Sequence, residues 1–149
     1  LLALVERDAQ VFEPLSKAYG MPKATEEEKA DEDSKIGDAF TIAEFVMGVN
    51  ETTEADLPET VLAWDLVRAV NMARWAFICG YINEDEMWEA IRTTAGIAKE
   101  SFNSWEEYGN SFAVGRGIWR GETDDYETAD EVVGALLNKE DSPWKAIEW

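Results

Sequence analysis

A helix-start signal that recurs along residues 39–149 constrains the fold more than any other feature of the sequence. Five times, a residue whose side chain can cap a helix is followed three positions later by Glu, and each pair opens a segment of apolar residues at helical spacing. The pairs are Thr41–Glu44, Asp56–Glu59, Asn83–Glu86, Ser104–Glu107 and Thr128–Glu131. No segment shows the sustained alternation of apolar and polar residues that is typical of strands. The sequence therefore predicts an all-α fold, a compact helical domain of five to six helices with no sheet.

A helix near residues 58–79 is predicted to be buried at the centre of this domain. Pro58 suits the first turn of a helix, and Gly80 suits its end. At about 100° per residue, the residues between them divide into two faces, whereas a surface helix needs only one apolar face. The aliphatic face consists of Leu62, Leu66, Ala69, Val70, Ala73 and Phe77. The opposite face combines aromatic rings with a guanidinium and an amide, and it consists of Trp64, Arg68, Asn71, Trp75 and Ile78.

The chain divides into three parts by composition. Residues 1–22 are predicted to form an appended helix, whose apolar stripe includes the carboxylate of Asp8. Residues 23–38 are rich in carboxylates and nearly lack apolar side chains, which is typical of a solvated linker. Residues 39–149 are the helical domain. Its last eight residues contain Pro143 and two Trp, and we expect them to lie as a strap over the helices.

Charge and composition exclude several classes of function. The net charge of −19 repels phosphate backbones and anionic lipids, so we expect neither nucleic acid nor a membrane as a partner. His is absent and Cys79 is the only cysteine, which excludes histidine-based catalysis and a zinc site of nitrogen and sulfur ligands. We expect no metal. A single cysteine cannot form a disulfide within the chain and no apolar run could span a membrane, and both facts favour a cytoplasmic location.

The aromatic face of the predicted central helix contains the first candidate site. Arg68 lies one turn from both Trp64 and Asp65, so it can stack on the ring and pair with the carboxylate. Such a combination suits either a ligand pocket or a polar network inside the core.

A second arginine, Arg116, lies between two aromatic residues of a later helix, one of which is Trp119. If Arg68 and Arg116 both point inward, they form a cationic spot that suits an anionic ligand. The alternative is that each arginine is a structural cation that pairs with a buried carboxylate, such as that of Glu107, inside a polar core. The sequence leaves both interpretations open.

Four motifs stand in order between residue 64 and the end of the chain. They are WDLVRAVNMARWAF, GYINEDEMW, SWEEYGNSFAVGRGIW and SPWKAIEW. With these motifs, residues 64–149 resemble a bacterial domain family of unknown function. The resemblance implies a helical cytoplasmic domain, and it implies no activity. The positions that it marks are Trp64, Asp65, Arg68, Arg74, Trp75, Trp105, Gly115, Arg116, Trp119 and Trp144.

The first 30 residues carry a different similarity. The segment LLALVERDAQVFEPLSKAYGMPKATEEEKA is similar to an internal stretch of the folate cyclodeaminase and methenyl-tetrahydrofolate cyclohydrolase family, an all-helical fold. That similarity implies tetrahydrofolate as the cofactor and a position near the folate site for Asp8. The family's proline–glycine-rich loop and its other helices are absent from this sequence.

These observations predict an acidic, non-catalytic interaction module, of the inhibitor or immunity type, that binds a basic protein partner and uses no cofactor. One alternative is a remnant or fusion of a folate-dependent cyclodeaminase or cyclohydrolase that uses Asp8. The other is a sensor of a small anionic ligand. The oligomeric state stays open. The residues predicted for a ligand site, a partner site or a polar core are Trp64, Asp65, Arg68, Asn71, Arg74, Trp75, Glu107, Arg116, Trp119 and Trp144.

Overall fold

The computed structural model describes residues 35–53 and 56–149, with side chains from Gly37 onward. Its helices are α1 (Lys35–Asn50), α2 (Leu62–Ile78), α3 (Glu84–Ser101), α4 (Trp105–Arg120), α5 (Thr123–Asn138) and the single-turn α6 (Pro143–Ala146). These residues contain no strand, so the predicted all-α fold is confirmed. Among the helices in these two ranges, none combines the length and the apolar character that crossing a membrane requires.

Part of the predicted organisation concerns residues that precede α1. The predicted helix of residues 1–22, including Asp8, lies outside the described residues, and so does most of the predicted linker of residues 23–38. Helix α1 begins inside the range assigned to that linker. Ala39, at the predicted start of the domain, is only 1% exposed, so it belongs to the core of the described residues.

The central position in the described residues belongs to α4 rather than to α2. Helix α4 packs extensively against α5, α2 and α1, whereas α2 packs mainly against α3 and α4. One core cluster joins α1, α4 and α5 with the residue before α2, and it consists of Ala39, Ile42, Val46, Val61, Ala113, Val114, Ile118, Tyr126 and Ala129. A second cluster joins α2 to the end of α3, and it consists of Ala63, Leu66, Ala98 and Phe102.

Only the first half of α2 has two buried faces. Trp64 and Leu66, which belong to opposite faces, are 8% and 0% exposed. Trp75 and Ile78, in the last turns, are 62% and 73% exposed. The prediction of two buried faces is therefore confirmed for the first half of the helix and wrong for its end.

Contacts between α2 and α4 explain this difference. The Ala63 N–H donates a hydrogen bond to Ser111 Oγ at 3.2 Å, and further along both helices Arg68 lies over the Trp119 ring, 4.4 Å from its centroid. The two helices thus run side by side in the same direction. Because α4 ends at Arg120, the last turns of α2 extend past it.

Two of the five predicted helix starts are capped as the sequence indicates. Asn83 Oδ1 accepts from the Glu86 N–H at 3.0 Å, and Glu86 Oε2 accepts from the Asn83 N–H at 2.8 Å, which forms a capping box before α3. Ser104 Oγ accepts from the Glu107 N–H at 3.0 Å before α4. The predicted stop at Gly80 is also confirmed, because this residue follows α2 with a φ of 74°.

Two other predicted starts are wrong because the helices begin earlier. Thr41 lies inside α1 and Thr128 lies inside α5, and both residues are exposed. A Thr–Glu pair at this spacing also fits the solvent face of a helix interior. Burial of Ile42 and Tyr126, which are 0% and 4% exposed, holds residues near these positions in helical structure.

The predicted start of α2 near residue 58 is wrong for another reason. The Asp56 carboxylate accepts hydrogen bonds from the Thr53 N–H and Oγ1 at 2.9 and 2.8 Å, so it closes a turn before the helix. Helix α2 begins at Leu62, and its preceding residue makes no side-chain cap. The hydroxyl of Ser111 on α4 accepts from the Ala63 N–H instead.

Glycines in α4 allow its neighbours to approach closely. A Cβ added at Gly115 would lie 2.6 Å from Trp64 Cβ on α2, and one added at Gly117 would lie 2.9 Å from Tyr126 Cβ on α5. Both distances are shorter than real Cβ contacts allow. Because glycine has no side chain, Gly115 allows α2, and Gly117 allows α5, to lie close to α4.

The strap predicted for the last residues is confirmed. Trp149 Nε1 donates to the Phe102 carbonyl at 2.9 Å, and Trp105 Nε1 donates to the Ile147 carbonyl at 2.8 Å. The Trp144 ring stacks on the Trp105 ring with centroids 4.8 Å apart. These contacts fasten the end of the chain across the junction between α3 and α4.

Candidate functional site

The first candidate arginine, Arg68, is held by a carboxylate and two rings. Its Nη1 lies 3.2 Å from Asp65 Oδ1, and the Asp65 side chain is only 5% exposed. Its guanidinium carbon lies 5.8 Å from the Trp64 centroid and 4.4 Å from the Trp119 centroid. Both predicted contacts, with Trp64 and with Asp65, are confirmed, and Arg68 supplies a positive charge beside a buried carboxylate.

The second candidate arginine, Arg116, reaches the same Trp64 ring from α4. Its guanidinium carbon lies 5.2 Å from the ring centroid, and its Nη2 lies 2.5 Å from Asp125 Oδ1 on α5. The other oxygen of Asp125 lies 3.4 Å from Arg120 Nε. Trp64 therefore lies near two guanidinium groups, each paired with a carboxylate.

Glu107, the predicted partner of Arg116, serves elsewhere. Its Oε2 accepts hydrogen bonds from the Asn103 N–H and Nδ2 at 2.7 and 3.1 Å, at the start of α4. The pairing of Arg116 with Glu107 is therefore wrong, and Asp125 is the carboxylate that pairs with it.

The remaining predicted residues do not gather at Trp64. Arg74 and Trp75 are exposed near the end of α2, and Trp144 belongs to the C-terminal strap. Asn71 is half-buried on α2. The structure thus separates the predicted set into the surroundings of Trp64, the exposed end of α2, and the strap.

A cleft of about 390 Å³ opens beside Trp64 between α4 and α5. Its lining residues are Trp64, Phe112, Arg116, Asp124, Asp125, Thr128, Ala129 and Val132. The Trp64 and Phe112 rings, with centroids 5.5 Å apart, form its aromatic side. Trp64 Nε1 is buried, and no residue in the described part of the chain accepts a hydrogen bond from it. Arg68 is not among the lining residues, so the predicted pair of arginines does not form a single cationic pocket.

Sequence reasoning missed the acidic side of this cleft. Asp124 and Asp125 precede Thr128, the predicted start of this helix, whereas α5 begins at Thr123. One signal was present: three carboxylates lie within four residues after Gly121, which ends the helix that carries Arg116. When a helix ends at a glycine and a second helix begins directly after it, an arginine in the last turns of the first can face a carboxylate in the first turn of the second.

A second candidate surface lies at the turn between α2 and α3, and we call it the hairpin end. It is formed by Trp75, Ile78, Tyr81 and Trp88, which are 62%, 73%, 84% and 44% exposed. Exposed carboxylates accompany these side chains, namely Glu84, Asp85, Glu86 and Glu89. The exposure of these side chains could not be predicted from the sequence, because apolar residues at helical spacing are typical of a buried core.

Two further carboxylates line a cavity of about 270 Å³, and their pKa values shift in opposite directions. Burial raises the pKa of Asp130, with a smaller contribution from Glu131. Hydrogen bonds from Thr53 lower the pKa of Asp56. Opposed shifts are typical of acid–base pairs. Here partial burial and a tight turn account for them, so they indicate no catalytic pair.

Within residues 35–53 and 56–149, no three or more carboxylate or cysteine side chains are arranged to hold a metal ion. Residues 5–149 match the model of a family described as "Protein of unknown function (DUF1266)". The match starts well before residue 64 and includes most of the folate-like segment. No curated protein and no solved structure matches the chain.

Proposed function

The chain belongs to this family of unknown function, and from that premise we propose that it is a non-catalytic interaction module that binds a basic protein partner, as inhibitor and immunity proteins do. The observation that carries the proposal is the hairpin end, where Trp75, Ile78 and Tyr81 are more than half exposed. Clustered exposed apolar side chains are a feature of interaction sites, and Trp and Tyr contribute most to binding energy there.

The charges around the hairpin end favour a basic partner. Residues 74–92 contain four carboxylates, at Glu84, Asp85, Glu86 and Glu89, against the two arginines Arg74 and Arg92. The whole chain carries a net charge of −19. An amphipathic segment with apolar residues on one face and Lys or Arg on the other would complement both the rings and the carboxylates.

The arrangement of the predicted arginines supports a non-catalytic role. Arg68 and Arg116 pair with Asp65 and Asp125, so both guanidinium groups are held in place by carboxylates of neighbouring residues in the fold. The proposal includes a cytoplasmic location, because the exposed thiol of Cys79 would persist best in a reducing compartment.

A binding measurement with designed peptides tests the chemistry of this surface. The probe is a labelled amphipathic helical peptide with Leu on one face and Lys on the other, and its counterpart carries Glu in place of Lys. We expect the Lys peptide to bind more tightly by about tenfold or more, and its affinity to fall as NaCl rises from about 50 to about 500 mM. Equal affinity for both peptides, or no dependence on salt, contradicts the proposal.

Substitutions locate the binding surface. A Trp75→Ser/Trp88→Ser variant should lose at least about tenfold in affinity for the Lys peptide, because it removes two exposed rings. Val49→Ser is the matched control, since Val49 is 55% exposed at the end of α1, and it should bind as the wild type does. If the double variant also binds as the wild type does, the hairpin end is not the site.

The folate-dependent alternative depends on Asp8, which lies outside the described residues, and no observation on the described residues favours it. It stays a prediction, which turnover of methenyl-tetrahydrofolate that Asp8→Asn abolishes would support.

A further inference from the structure

We propose that the cleft between α4 and α5 binds a small zwitterion with an apolar body, of the amino-acid class. This inference is independent of the basic partner, because it concerns different residues. It rests on the apolar wall of the cleft, on charges of both signs at its edge, and on a buried hydrogen-bond donor that has no acceptor among the described residues.

The wall of the cleft suits an apolar side chain. Trp64 and Phe112 contribute aromatic rings, and Ala129 and Val132 contribute methyl groups from α5. Val132 is 53% exposed, so the cleft opens to solvent beside it. A volume of about 390 Å³ lies within the range of small-molecule sites.

Arg116 offers donors for a carboxylate. Its Nη2 is engaged by Asp125, but a guanidinium has five N–H donors, so donors remain. The Arg116 side chain is 38% exposed, and the Thr128 hydroxyl also lines the cleft. An incoming carboxylate would therefore meet a guanidinium that the fold already holds in place.

Asp124 offers an acceptor for an ammonium group. It lies in the first turn of α5, it is exposed, and it makes no ion pair with another described residue. A simple anion in the cleft would face this carboxylate, and a simple amine would face Arg116. A molecule with both charges uses both groups, so the cleft favours a zwitterion over the anionic ligand predicted from the sequence.

Trp64 supplies the independent observation that points to a ligand. Its side chain lines the cleft, the residue is only 8% exposed, and Nε1 has no acceptor among the described residues. Buried donors are almost always hydrogen-bonded, because leaving one unpaired is costly. A carboxylate bound beside Arg116 would bring an acceptor to this side of the cleft.

Three matched probes test the ligand class by calorimetry on the full chain. They are L-leucine, 3-methylbutylamine, which lacks the carboxylate, and 4-methylpentanoate, which lacks the ammonium group. We expect leucine to bind at least about tenfold more tightly than either analogue. If none binds at millimolar concentration, or if either analogue binds as well as leucine, the proposal is overturned.

Variants assign the contacts without disturbing the core. Asp124→Asn should weaken leucine binding by about tenfold, and it should not weaken binding of 4-methylpentanoate, because it removes the carboxylate that this anion faces. Val132→Phe should fill the open side of the cleft and abolish binding of leucine. Glu127→Gln is the matched control, an exposed carboxylate of α5 outside the cleft, and it should bind as the wild type does. Unchanged leucine affinity in Asp124→Asn, or in Val132→Phe, also overturns the proposal.

Discussion

At the scale of single residues, the absence of a side chain at Gly115 allows α2 to lie close to α4. Gly115 lies where a Cβ would come within 2.6 Å of Trp64 Cβ and 3.1 Å of the Val61 carbonyl oxygen. Neither neighbour is the flexible end of a long side chain, because one atom is the first of its side chain and the other is backbone. The position therefore demands glycine.

Replacing Gly115 by alanine should destabilise the protein by roughly 1–3 kcal/mol, because α2 has to move away from α4. Chemical denaturation monitored by circular dichroism measures this change in the free energy of unfolding. Gly96→Ala is the control, because nothing lies within 4 Å of a Cβ there and α3 is helical on both sides. That variant should gain up to about 1 kcal/mol from helix propensity. Equal effects of the two substitutions would mean that close packing at Gly115 does not matter.

The same scale shows which part of the site was predictable. The contacts of Arg68 with Trp64 and Asp65 lie within one turn of one helix, so spacing alone predicts them. The pair of Arg116 and Asp125 spans the end of one helix and the start of the next. It depends on where α5 begins, and the sequence placed that start too late.

At the scale of elements, the sequence predicts the start of a helix correctly where a side chain within a few residues caps it. The starts of α3 and α4 are capped by Asn83 and Ser104, and both were predicted. The starts of α1 and α5 depend on burial against α4. A cap–Glu pair spans only four residues of the sequence, so it gives no information about that burial. The all-α class was predictable because every segment repeats the helical period, whereas the central position of α4 depends on how the segments pack.

The C-terminal strap is the element whose contribution can be measured most directly. Trp149 packs on the ring of Tyr108, with centroids 5.6 Å apart, and donates its indole N–H to the Phe102 carbonyl. The Tyr108 side chain is partly buried under the strap, and this burial raises its pKa to about 12.

Trp149→Phe keeps a ring in the strap and removes the hydrogen bond to the Phe102 carbonyl. We expect a loss of about 0.5–1.5 kcal/mol in the free energy of unfolding. The matched control is Trp88→Phe, which also removes an indole donor, but from an exposed 3.4 Å contact with Glu84. It should change stability by no more than about 0.5 kcal/mol. A stability of Trp149→Phe equal to that of the wild type would show that the strap is not fastened through this bond.

At the scale of the whole molecule, one sign of charge dominates. The chain carries 32 carboxylate side chains against 13 basic ones, and its net charge is −19. Charge of this size keeps a protein soluble, and it also destabilises the compact state through self-repulsion. Most carboxylates of the described residues are exposed, so dissolved salt can screen them.

Raising NaCl from about 10 to about 500 mM should therefore raise the melting temperature, because the Debye length falls from about 30 Å to a few ångströms. A gain of about 1 kcal/mol corresponds to roughly 2–4 °C for a domain of this size. A sucrose solution of equal osmolality serves as the control for general solute exclusion. A melting temperature that falls, or that rises no more than in sucrose, would show that self-repulsion does not limit stability.

The hydrogen bond from Ala63 to Ser111 links two helices that are far apart in sequence, and this link bears on the order of folding. An N-terminal cap taken from the next few residues can form as soon as its helix nucleates. At the start of α2, the Leu62 N–H has a local acceptor in Thr60 Oγ1, whereas the Ala63 N–H receives its acceptor from α4, so this second bond forms only when α4 has docked. Closing such a long loop carries an entropic cost before any contact repays it. We therefore expect the Ala63 amide proton to report on the docking of α4 against α2, and the Leu62 amide proton to report on the local turn.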